Sequence, residues 1–404
     1  VVFGAYLVAS ICATIFAGQS VRRRGPAATF GAGLTLFFAG LVLATFAGSI
    51  EVFIAARAIQ GAGGGTLLTV AYAVVNVAYD ESERPGVLAG LSQAWILPGI
   101  LGPPVAGALA ELFVWQWRTV FAALIPFTPI VALWALPAMR AVRFSDADAS
   151  AGTAADLLRF APALALSAGV VLIQAGSVQA SPLFIVLLLP PGLLLSFAAI
   201  QRLMPAGMLW LRPVLPAAIG LKLLSFFAFF SVDSFVPFAL QEGRGASLFY
   251  ASLAITPAAL AWAGAASLAA RYTRPGYVNY TRWGLVILSV GILLLLPALR
   301  SGYPLELAFV AWGVAGFGIG LAYLSLNALA MDATAQAGDA SQTAIALNIS
   351  DSLGFAFGAT FTGAILFHGE RAAWSSVDQF TLAFAATAGL ALLCAFAAGR
   401  LRGE

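Results

Sequence analysis

The stretch TRWGLVILSVGILLLLPAL, residues 281–299, carries one charge, Arg282 at its second position. Wound as an α-helix it is about 28 Å long at about 1.5 Å per residue, close to the ~30 Å hydrocarbon core of a bilayer. No water is present there to take up unpaired backbone N–H and C=O groups, so a helix is the only open structure that satisfies them within the segment. Working outward, twelve more apolar stretches follow the same pattern. All thirteen are 1–20, 26–48, 51–79, 85–111, 118–139, 159–177, 182–201, 216–240, 249–271, 281–299, 304–331, 341–367 and 379–399. With 61% hydrophobic and only 9% charged residues, against about a quarter charged in soluble domains, the chain reads as all-α and polytopic.

The placement of the basic residues orients the spans. With the Arg22-Arg23-Arg24 connector in the cytoplasm, fourteen arginines fall on that side and four (Arg118, Arg244, Arg300, Arg371) on the other. The positive charge therefore sets topology, and no nucleic-acid partner is expected. Residue 1 then lies outside and Glu404 inside, which predicts one helix preceding the first span. The longest polar connector, 140–158, divides a 1–139 bundle of five visible spans from two plain inserted spans and their connector (159–212) and a six-helix bundle over 213–404.

Chemistry must sit at the few polar groups inside the spans. Cys12 and Cys394 lie in the first and last spans and His368 stands alone, so neither a metal, a cofactor nor a Ser/His/Asp constellation is expected, and the chain reads as no enzyme. No phosphate-binding Gly-Lys-Ser/Thr loop occurs, which leaves an ion gradient as the energy source. The Gly316-x-Gly318-x-Gly320 run lies in an apolar span rather than after a strand and reads as helix packing.

Three local patterns stand out. Arg57, Gln60 and Gly61 share one helical face of the third span, and Gly61, Gly63, Gly64 and Gly65 permit close helix approach. In the fourth span Pro98, Gly102, Pro103, Pro104 and Gly107 cluster, and the prolines deprive the carbonyls of Ala94, Gly99 and Ile100 of their usual donors, so a kinked helix at a closely packed moving interface is expected. Gly18, Arg22, Arg23 and Gly25 mark the first basic connector. Pro98, Gly102 and Gly107 align with Gly354, Gly358 and Gly363 at a constant offset of 256, the matched kink positions expected of a chain built from two repeats.

Together these patterns resemble the major facilitator superfamily, specifically its fourteen-helix drug:proton antiporter branch. Gly18 to Gly25 occupies the place of that family's loop signature, Arg57-x-x-Gln60-Gly61-x-Gly63 is similar to its fourth-helix arginine motif, and Gly102-Pro103 with Gly107 to its fifth-helix antiporter signature. Trp117-Arg118 leading to Ile125-Pro126 is similar to the entry of its sixth helix. Arg22 stands where the family loop has aspartate, and the matching loop near Gly264–Gly276 lacks one too. The resemblance implies two pseudo-symmetric six-helix bundles, the first short of one helix, plus two inserted helices. It also implies proton-coupled export by alternating access, in a bacterial cytoplasmic membrane, with the C-terminus inside. The partners would be a small hydrophobic or cationic substrate, protons and the lipid bilayer, and the carrier would be a monomer.

Proton coupling requires a carboxylate shielded from water, where the charged form is disfavoured. Asp233 and Asp351 qualify by depth. Pro237 leaves the carbonyl of Asp233 without its i+4 donor, so a distortable notch coincides with that acid. The competing reading of either acid is a structural hydrogen bond or an ion pair, Arg57 being one candidate partner. Lys222, eleven residues before Asp233, is expected to snorkel to the nearer interface. Two other functions stay open on the residues alone: a metabolite facilitator or symporter, and a non-transporting membrane scaffold or lipid-handling partner.

Overall fold

The computed structural model describes residues 2–80, 87, 96–142, 154–269, 276–335 and 340–402. The Glu81–Arg84 turn, Trp95, Arg271, Arg274 and residues 143–153 of the 140–158 linker lie outside them. Among the described residues there is no strand, and the helices are α1 (Val2–Arg24), α2 (Pro26–Thr45), α3 (Ile50–Ala78), α4 (Ile96–Leu112), α5 (Trp117–Leu124), α6 (Phe127–Ala141), α7 (Ala154–Ser177), α8 (Pro182–Leu203), α9 (Leu215–Asp233), α10 (Val236–Arg244), α11 (Leu248–Leu253), α12 (Thr256–Ala269), α13 (Tyr277–Ala298), α14 (Leu307–Ala335), α15 (Ala340–Arg371) and α16 (Ser376–Ala397). Eleven segments are long and apolar enough to cross a membrane, and Leu97–Leu112 and Ala161–Ser177 are shorter apolar helices. Eleven of the thirteen expected spans are matched by these segments, and those expected at 85–111 and 159–177 correspond to the two shorter helices, most of 85–95 lying outside the described residues.

Among the described residues three spans are broken rather than continuous, at Ile125–Pro126, Ser234–Phe235 and Ala254–Ile255. Each break lies at or just before a proline, which cannot donate to the carbonyl four residues back. The basic connector differs from expectation. Arg22, Arg23 and Arg24 complete the last turn of α1, and the reversal is confined to Gly25, whose φ of 81° is the left-handed region that glycine tolerates. Hydroxyls within the apolar helices are largely satisfied by their own i−4 carbonyls, as for Thr45 on Leu41 and Thr334 on Ala330.

Two compact units emerge: Val1–Trp95 with Leu109–Ile200, and Ile96–Ala108 with Gln201–Glu404. In the first, glycines seat α3 between α1 and α2. A Cβ on Gly61 would stand 2.0 Å from the Tyr6 carbonyl oxygen and one on Gly65 2.3 Å from that of Ser10, both on α1, whereas one on Gly63 would stand 2.4 Å from the Phe37 nitrogen on α2. The second unit repeats the arrangement with α14 between α12 and α13. There Gly316 meets Ala258, Gly320 meets Trp262, and Gly318 meets the Leu288 nitrogen at 2.4 Å. Gly61, Gly63 and Gly65 map onto Gly316, Gly318 and Gly320 at a single offset of 255, and their contacts on the flanking helices map with them. Internal duplication is thus written in backbone contacts, and Arg57 falls on Trp312 at the same offset.

Such seams leave no room for a methyl group. Gly318→Ala is expected to destabilise the protein by about 1–3 kcal/mol through overpacking, because the atoms it meets are backbone. Gly389→Ala on α16, where nothing lies within 4 Å, serves as the control in thermal unfolding in detergent.

Candidate polar site in the helical bundle

Residue types along α9 alternate a charge, an aromatic layer and a second charge: Lys222, then Phe226, Phe229 and Phe230, then Asp233. The helix ends at Asp233, because Pro237 cannot close the next hydrogen bond and the Phe235 N–H turns to Val232 O at 2.8 Å. Trp312 on α14 donates from Nε1 to Asp233 Oδ1 at 2.9 Å. Its indole is fully buried and stacks on Phe229 at 5.1 Å and 19°. The carboxylate therefore points into the unit, toward α14.

The second charge cluster lies about three turns away along α9. Lys222 does not snorkel: it is 2% exposed, and its ammonium pairs with Asp351 Oδ2 on α15 at 3.0 Å. It also donates to the Leu347 carbonyl at 3.2 Å and lies 4.7 Å from the Tyr323 ring centroid. Tyr323 donates its hydroxyl to the same Asp351 oxygen at 3.3 Å. Isolated in hydrocarbon an ammonium is costly, and here a facing carboxylate offsets that cost in place of a reach to the interface. Asp351 Oδ1 is buried with no hydrogen-bond partner among the described residues.

Aromatic rings fill the space between the two clusters. Phe226 contacts Tyr323 at 5.2 Å and Trp262 at 6.0 Å, Phe229 contacts Trp262 at 5.3 Å, and Phe230 contacts Phe355 at 4.6 Å. The two acids expected from the sequence are thus held apart, each with its own partner, across an aromatic layer.

α15 reaches Lys222 because it lies flat on α9. A Cβ on Gly354 would stand 2.5 Å from the Leu223 oxygen, one on Gly358 2.6 Å from the Phe227 oxygen, and Thr362 donates to the Ser231 carbonyl at 2.6 Å. Gly363 makes only an ordinary contact, 3.8 Å from Phe235. On α4 the outcome is mixed. Gly107 is tight against Phe249 at 2.9 Å, but Gly102 meets nothing within 4 Å, so close packing expected along the whole motif occurs at one end. Pro103 and Pro104 lie inside a continuous helix. The Ile100 carbonyl, orphaned by Pro104, accepts from Thr256 Oγ1 at 3.1 Å.

In the other unit Arg57 donates to Gln60 Oε1 on its own helix, one turn on, and its guanidinium lies 4.6 Å from the Tyr6 ring centroid. Gln60 is buried. The partners of Arg57 are therefore an amide and a π face. Gly18 has open space around it, whereas Gly25 O accepts from Thr29 Oγ1 at 2.9 Å.

Some features were not read from the sequence. Trp312 could be read only as a candidate member of an aromatic cavity, and neither its bond to Asp233 nor that of Tyr323 to Asp351 was legible. Lys222 and Asp351 did give a signal: two opposite charges in apolar spans need partners, and each is the other's. Two arginines counted for topology, Arg118 of the sixth-helix entry among them, also cap helix ends, Arg118 donating to Ala47 O at 2.8 Å and Arg244 to Ala298 O at 2.7 Å. Two surface hollows of about 280 and 310 Å³ are lined elsewhere, and neither involves Lys222, Asp233 or Asp351.

Comparison with known proteins agrees with this architecture. A protein of Mycobacterium tuberculosis named as a probable multidrug-efflux transporter is 24% identical over 97% of this chain and 85% of its own length. A drug efflux pump of the same species, JefA, is 25% identical over 87% of this chain and 68% of its own. Among solved structures, an auto-inhibited POT family peptide transporter superposes with a TM-score of 0.67 at 17% identity, covering 98% of this chain and 86% of that one. The human organic anion transporter MFSD10 gives 0.60 at 16% identity, covering 98% and 83%. The model of the Major Facilitator Superfamily matches residues 1–348, and with its membrane-length helices and duplicated glycine seams the chain belongs to that superfamily of membrane transporters.

Proposed function

We propose that this protein exports hydrophobic or amphiphilic, drug-like compounds in exchange for protons, by alternating access. The observation that carries the reading is the pair of membrane-embedded carboxylates, Asp233 under the Trp312 indole and Asp351 against Lys222. Names of the mycobacterial relatives support drug export, and the lack of a phosphate-binding loop in the sequence supports gradient drive. The chain is read as a monomer of the fourteen-helix drug:proton branch, in a bacterial cytoplasmic membrane with its C-terminus inside.

In this scheme Asp233 and Asp351 gain and lose the coupled proton. Protonating either carboxylate removes a charge from a site within the apolar spans, where Coulomb attraction is less screened than in water. For Asp351 that change releases Lys222 from its counter-ion. For Asp233 it acts at the break between α9 and α10, where the backbone has slack. The aromatic layer between them supplies apolar and π contacts for a lipophilic cation. Arg57 and Gln60 are read as polar groups within the first unit that serve coupling or substrate contact there, and the proline and glycine positions of α4, α10 and α15 take up the bending.

Purified protein in vesicles with an imposed pH gradient tests the proposal. A fluorescent lipophilic cation is expected to move against its gradient in proportion to the pH difference, and to stop when a protonophore is added. Flux indifferent to the gradient would instead favour a facilitator, and absence of flux a scaffold.

A further inference from the structure

The hollow of about 280 Å³ between α13 and α16 has a graded lining. Asn279, Arg282 and Trp283 stand at one end. Val286, one turn further along α13, and Leu392 and Phe396, one turn apart on α16, continue it as an apolar trough. Arg402 reaches the same end and donates from Nη2 to Asn279 Oδ1 at 3.3 Å, which steers a second guanidinium toward the mouth. Trp283 is 62% and Phe396 67% exposed, so the trough faces outward from the helices rather than into the bundle.

Charge decides what suits it. No acid occurs between Glu242 and Glu306, nor between Asp378 and Glu404, so the two segments forming the hollow bring arginines and no carboxylate. A bare hydrophobic groove would accept any acyl chain. Two guanidiniums above it, one already positioned by an amide, add selectivity for a phosphate, which accepts paired N–H donors. Basic hollows between transmembrane helices are suited to anionic headgroups. We infer that this hollow is a binding site for an anionic phospholipid, its phosphate held by Arg282 and Arg402 and one acyl chain lying along Val286, Leu392 and Phe396. The site is separate from the acids of the proposed transport path and does not depend on that function.

Quenching of Trp283 tests it. Full-length protein is placed in phosphatidylcholine nanodiscs that contain either brominated phosphatidylglycerol or brominated phosphatidylcholine, and Trp283→Phe isolates that residue's signal. Phosphatidylglycerol is expected to quench Trp283 about fivefold or more effectively per mole, since each cation near a membrane surface contributes about 1 kcal/mol. The double variant Arg282→Ala/Arg402→Ala is expected to lose the preference, whereas Arg23→Ala/Arg24→Ala keeps it. Equal quenching by both lipids, or a preference that survives in the double variant, overturns the site and leaves ordinary interfacial arginines. Millimolar inorganic phosphate at constant ionic strength is expected to change nothing; if it erases the preference, the ligand is soluble phosphate and the lipid assignment is wrong.

Discussion

Asp233→Asn is expected to reduce gradient-driven flux to the level of empty vesicles while substrate binding remains measurable. Asparagine keeps the shape of the side chain and an oxygen for the Trp312 Nε1 donor, which lies 2.9 Å from Asp233 Oδ1, but it cannot exchange a proton. Folding should survive, because Trp312 retains its stack on Phe229. The control is Trp312→Phe, which preserves a stacked ring and removes the donor. A hydrogen bond to a charged group is worth about 1.5–3 kcal/mol, so this variant should transport more weakly without losing coupling. Should Asp233→Asn carry substrate uphill as well as wild type does, Asp233 has no part in coupling.

The second large effect concerns the charge pair at the other end of the aromatic layer. Lys222→Met and Asp351→Leu, made singly, each strand one charge in hydrocarbon, at a cost of about 3–5 kcal/mol. The double variant strands neither and should recover most of that stability, since apolar replacement of a buried pair is often close to neutral. Thermal unfolding in detergent reads the first half of the comparison, and vesicle flux the second. If the pair only holds α9 to α15, the double variant will be both stable and active. If it belongs to the proton path, the double variant will be stable and inactive. Single variants as stable as wild type would mean that the 3.0 Å contact contributes little.

How far the sequence could be read follows from the range of each interaction. Spans come from composition over about twenty residues, and eleven of them stand as membrane-length helices among the described residues because hydrocarbon imposes one solution on the backbone. The notch at Asp233 was legible because a proline's effect reaches only four residues back. By the same logic Pro126 and Pro257 announced the breaks at Ile125 and Ala254, which the continuous-span reading passed over. The partner of Lys222 was not legible. It lies 129 residues away on α15, and helix periodicity fixes which face a residue occupies but not which helix covers that face. Gly102 illustrates the same gap from the other direction, since its motif spoke for close packing and its surroundings are open.

The glycine seams carry one more consequence. Where backbone rests on backbone, as along α1–α3–α2 and α12–α14–α13, no rotamer change can relieve a shear between helices. Each trio should behave as a stiff wedge whose amide hydrogens exchange late and together. Deformation would then concentrate at the three proline-marked fractures, at Ile125, Ser234 and Ala254. The fracture at Ser234 immediately follows Asp233, so a change of charge on that acid would act at a point where the scaffold yields.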